Sequence, residues 1–136
     1  MTGPSGRTAM NAKSILTALA GIALVAVPVA VSAHGSMKPS HGGVVTMSGE
    51  IMVELVRGPR GVDVYVSEED EPIAASGLNA KLTVTAAGAK KDAPLVAQAG
   101  NKLSAPGLKV PAGAKVVVSL VDKRDGAKTF ATFNVK

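Results

Sequence analysis

Two kinds of patterning divide this chain. Residues Ile15 to Ala26 form a nearly unbroken apolar run, whereas from Val44 onward apolar and polar positions alternate in short stretches punctuated by Gly and Pro. Alternation with period two marks a strand with one buried face, because successive side chains point to opposite sides. Glu50 to Val56 is the clearest case: Ile51, Val53 and Leu55 fall on one face, and Glu50, Met52, Glu54 and Val56 on the other. Arg57-Gly-Pro-Arg-Gly61 is turn chemistry, and Val62, Val64 and Val66 then alternate with Asp63, Tyr65 and Ser67 as the return arm of a hairpin.

Further strands follow the same reasoning. Lys81 to Ala86 places Leu82 and Val84 inward, Gly88 to Asp92 reads as a turn, and Ala93 to Ala97 reads as a short return strand with the edge-type Pro94. Asn101 to Ser104, Lys115 to Val121 and Lys128 to Val135 complete the set, with Phe133 and Val135 on one side of the last and Phe130 on the other. Val44 and Val45 begin the first strand. The run Glu68-Glu-Asp-Glu71 before Pro72 is expected to be a solvated loop, since four like charges repel and proline cannot donate to a ladder. Consecutive carboxylates also lack the spacing of a calcium loop. No stretch beyond Val44 holds helical periodicity over the ~10–12 residues that a helix requires. About seven short strands with regular turn signals predict an all-β domain, a small immunoglobulin-like β-sandwich, with a small barrel as the alternative. The strand order stays open.

The apolar run bears on where this domain works. Arg7 and Lys13 precede it, and Val31-Ser-Ala33 supplies small residues for a signal peptidase, so residues 1–33 read as a secretory signal cut after Ala33. Met10 is an alternative start. The run is shorter than the ~20 residues that span a bilayer, and Pro28 breaks its end, which argues against a membrane anchor. Removal of 33 of the 136 residues leaves 103, enough for one small domain, and because Arg7 and Lys13 go with them the net charge drops from +5 to +3. The chain is expected to be periplasmic, with no membrane insertion after processing. It has no cysteine, so a fold in that oxidising compartment must be held by aliphatic burial alone. Tyr65, Phe130 and Phe133 are the only aromatics and the basic residues are scattered, a poor footprint for nucleic acid.

Residues 34–43, His-Gly-Ser-Met-Lys-Pro-Ser-His-Gly-Gly, read as a flexible arm between the signal and the sandwich at 44–136. They contain both histidines. Cleavage after Ala33 makes His34 the amino terminus, so that its amine and imidazole can chelate one ion, with His41 as a third nitrogen donor and Met37 as a thioether. Imidazole with thioether suits copper. Zinc is less well served by only two imidazoles. Met47 and Met52 add sulfur if they lie near the arm. The amine, with an ordinary pKa of ~7.7–8.0, makes such binding weaken as pH falls. Catalysis is not expected, because histidines on a Gly/Pro-rich arm lack the fixed neighbours that a catalytic base needs.

Several short patterns carry a resemblance. His41-Gly-Gly-Val-Val45 precedes the Glu50–Val56 strand, Val62-Asp-Val-Tyr-Val66 is followed by an acidic stretch and Glu71-Pro-Ile73, and Ala99-Gly-Asn-Lys-Leu103 and Val110-Pro-Ala-Gly-Ala-Lys-Val-Val-Val118 come later. On these the chain resembles a small periplasmic domain that accompanies heavy-metal efflux systems of the resistance-nodulation-division type, alone or joined to their periplasmic adaptor subunit. It is more loosely similar to CopC-like copper-resistance carriers, whose mature chains begin with histidine; only His34 carries over from these. The resemblance implies a role in heavy-metal handling beside an efflux adaptor. The other reading is a non-metal interaction module that docks on an adaptor or envelope protein.

Overall fold

The computed structural model describes residues 37–136. The expected signal at 1–33 and His34 lie outside the described residues. What is described is all β apart from one short 3-10 turn. The strands are β1 (Val44–Ser48), β2 (Ile51–Gly58), β3 (Gly61–Glu68), β4 (Glu71–Pro72), β5 (Leu78–Ala86), β6 (Ala89–Ala97), β7 (Lys102–Pro106), β8 (Lys115–Asp122) and β9 (Lys128–Asn134), with the 3-10 turn at Ala75–Gly77. No helix among them is long and apolar enough to cross a membrane.

All pairings are antiparallel, and the strands follow one path, β1-β2-β3-β7-β6-β5-β8-β9, with β4 on β3. Two half-sheets result, and β6 links them: Ala89 to Leu95 pair with β5, whereas Val96 and Ala97 pair with β7. A strand that changes sheets makes a corner and lets the two inner faces close on one another. Thr46 Oγ1, on β1, donates to the carbonyl of Thr132, on β9, at 3.1 Å, so the two ends of the path lie side by side.

The alternation in the sequence decides which face is inside. Val53 and Leu55 of β2, Val62, Val64 and Val66 of β3, Leu82 of β5, Leu103 of β7, Val116 and Val118 of β8, and Phe133 of β9 are buried together as one aliphatic core. The large share of valine suits a strand interior, where β-branched side chains keep their preferred rotamers.

Two expectations are corrected. The acidic run is not an unpaired loop: Glu68 pairs with Glu71 and Ser67 with Pro72, so β3 and β4 form a hairpin around Glu69 and Asp70. Both turn residues hold positive φ, 48° and 68°, the combination that a two-residue type I′ turn needs to match strand twist. Proline is tolerated because β4 is an edge of two residues. Likewise, residues 89–92 are strand and not turn. Ala87 and Gly88, at φ 49° and 78°, reverse the chain in two residues, and pairing starts at once with Ala86 opposite Ala89. The charged Lys90, Lys91 and Asp92 sit in a ladder because their side chains are exposed to water.

Candidate functional site

The outer face of β2 should be wet, and at Glu54 it is not. That glutamate is 1% exposed although it projects away from the core. The residues just before β1 cover it. Backbone N–H groups of Ser40, His41 and Gly43 donate to the Glu54 carboxylate at 3.1, 2.7 and 3.0 Å, and His41 Nδ1 lies 3.0 Å from its Oε2. Burial alone would push the Glu54 pKa up, but the hydrogen bonds from the His41 ring and from the three backbone amides outweigh it and hold the carboxyl below its ordinary value. Glu54 is therefore ionised and acceptor-only at neutral pH, which makes Nδ1 the donating nitrogen of His41.

Close approach of the chain to β2 is what permits this arrangement, and Gly43 is the residue that allows it. A Cβ there would run into the carbonyl of Leu55 and stand 2.8 Å from Cγ2 of Val56. The segment expected to be a free arm is thus anchored at its C-terminal end, because a buried carboxylate requires the donors that this backbone provides.

His41 is fixed from a second direction. Its ring stacks on Tyr65 with centroids 3.5 Å apart and planes 5° from parallel. Register explains the position, since Glu54 of β2 and Tyr65 of β3 are direct cross-strand partners on the same face. With Nδ1 donating to Glu54, Nε2 is the ring nitrogen not engaged by that carboxylate, and the side chain is 40% exposed. Metal-bound histidines typically have this form, one nitrogen committed to a carboxylate and the other free to ligate.

Beside the ring is an open cavity of about 330 Å³, with His41, Glu54, Tyr65, Met52, Asp70 and Asn101 in its wall. Met52 lines the same cavity as the histidine. Met47 is its direct partner across the β1–β2 ladder, so both side chains leave the sheet on one face. Directly opposed residues have Cβ atoms ~4.5–5.5 Å apart, but Met47 is not in the cavity wall.

Of the three metal-ligand candidates in the sequence, His41 is placed at this cavity. Met37 is 57% exposed, ahead of the anchored segment, and is not in the cavity wall. His34 is outside the described residues. Glu54 and Tyr65, which hold the imidazole, do not stand out in the sequence by chemistry. The available signal was the pairing of a buried-strand glutamate with a preceding His-Gly-Gly. Among the described residues no three His, Cys, Asp or Glu side chains group as a metal site. No family model, curated protein or solved structure matches the chain.

Proposed function

We propose that this chain is an exported, non-enzymatic metal-binding accessory protein, with copper as its ion, serving heavy-metal resistance beside the periplasmic adaptor of an efflux system. The observation that carries the reading is His41: its ring is oriented by a buried, ionised carboxylate and an aromatic face, and it lines a cavity whose wall also includes Met52. Imidazole with thioethers from Met52 and Met47 favours the cuprous state. The His34 amine and imidazole, once exposed by cleavage, would add the nitrogen donors that cupric ion prefers. Met37, on the segment between the two histidines, is a further thioether for the reduced ion.

Uptake of cupric ion by the processed protein, followed by electron paramagnetic resonance and calorimetry, tests this. Wild type takes up one equivalent, and a His34→Ala, His41→Ala double variant loses it. Equal weak uptake by both would leave the non-metal interaction module as the better reading. That second reading draws on the β3–β4 hairpin, whose turn residues Glu69 and Asp70 are exposed and held at positive φ.

A further inference from the structure

The other half of the sandwich presents a face of different character. Register places Pro94, Lys81, Ser119 and Phe130 in one row across β6, β5, β8 and β9, and Lys90, Thr85, Lys115 and Asn134 in another. Between these lies the row Asp92, Thr83, Val117 and Thr132, and Asn79, Val121 and Lys128 flank the first row. The alternate positions on these strands, among them Leu82, Val118 and Phe133, are in the core, so all of these side chains face outward. Phe130 is 56% exposed there, one of four exposed large hydrophobics among the described residues, with Met37, Val44 and Val96. It borders an open trough of about 330 Å³ with Lys81 and Lys128 at its sides.

Charge on this face is one-sided. It carries Lys81, Lys90, Lys115 and Lys128 against one acid, Asp92, which is engaged by Thr83 Oγ1 at 2.6 Å and by Lys81 at 3.5 Å. The imbalance extends through the chain: residues 37–72 hold seven acidic and three basic residues, and residues 73–136 hold three acidic and ten basic ones. Such segregation orients a molecule in the field of a charged surface.

We infer that the outer face of β5, β6, β8 and β9 docks on an anionic phospholipid bilayer surface. Charge complementarity identifies the occupant. The lysines are spread over the face, about 10 Å apart across two strand spacings, and do not crowd one groove, which fits a plane of headgroups better than a single acidic peptide. An aromatic side chain set among lysines is the arrangement that settles at the headgroup boundary. Docking this way turns the acidic β3–β4 hairpin and the His41 cavity to the aqueous side, so metal binding and membrane contact use separate faces.

Sedimentation of the full chain with phosphatidylglycerol-containing and with pure phosphatidylcholine vesicles tests the inference. The apolar run at 15–26 would partition into any bilayer, so the readout is the excess binding to anionic vesicles and its dependence on this face. The excess is expected to vanish in 0.5 M salt, where screening acts within a few ångströms. It should fall about fivefold for each lysine removed in a Lys81→Gln, Lys128→Gln double variant, and severalfold in Phe130→Ser. All three residues are exposed, and circular dichroism of the variants checks that the fold is kept. Anionic vesicles binding no better than neutral ones, or variants binding as wild type does, would overturn it. So would binding of soluble polyglutamate through the same lysines with none to vesicles, which would point to an acidic protein partner.

Discussion

Glu54 illustrates how one carboxylate can organise a site without touching a ligand. Its four hydrogen bonds fix the path of Ser40 to Gly43 and the tautomer of His41 together. Glu54→Gln keeps the shape, removes the charge and turns an amide donor toward backbone donors, at an expected cost of about 2 kcal/mol in denaturant unfolding at pH 7. The pH dependence follows from the lowered pKa. A carboxyl whose folded value lies below its unfolded one contributes fully above the unfolded value, and the contribution disappears as pH falls through the folded one. The difference between wild type and Glu54→Gln should therefore shrink as pH falls below the ordinary glutamate value of 4.5. A difference that stays at its full size well below that value would contradict this. Ala87 offers a second test at the same scale. It occupies the left-handed region at φ 49° in a turn whose chemistry favours Asn or Gly. Ala87→Asn should stabilise the protein by about 1 kcal/mol, read as a rise in the denaturant midpoint with unchanged slope.

At the scale of elements, the site is a segment laid over a two-strand ladder. Gly43→Ala would drive a methyl group into the Leu55 carbonyl and lift the segment from β2. We expect faster exchange of the Ser40, His41 and Gly43 amides, loss of the His41 ring contact with Tyr65 and weakened metal uptake, while the core strands keep their protection. Amide exchange followed residue by residue checks this, and unchanged exchange at these positions would count against the docking. These contacts also explain which parts of the site the sequence discloses. Alternation places Met52, Glu54 and Tyr65 on outer faces, and the structure keeps them there. It carries no information on whether an outer face is then covered by a Gly-rich segment, so Glu54 reads as wet and His41 as mobile. The acidic hairpin was hidden for a related reason. Charge repulsion and proline argue against a ladder, yet a two-residue turn needs only one pair on each side, and at an edge neither objection is costly.

For the described residues taken together, fold class was the most legible property, because it depends on period and punctuation. Val53, Leu55, Val64, Leu82, Val116, Val118 and Phe133 are inward in the alternation and buried in the structure. Strand order was not legible, since it rests on the β3–β7 and β5–β8 pairings and on the crossing of β6, all long-range choices that local pattern does not encode. The functional account has a similar dependence: one histidine gains its meaning from partners 13 and 24 positions further along the chain. The most direct test of that account is the nitrogen-15 spectrum of the His41 ring, together with the Met52 methyl signal, during titration with one equivalent of cuprous ion. On binding, the Nε2 signal is expected to move, Nδ1 to stay protonated against Glu54, and the Met52 methyl to shift in step. An Nε2 signal and a Met52 methyl unmoved at one equivalent would contradict it.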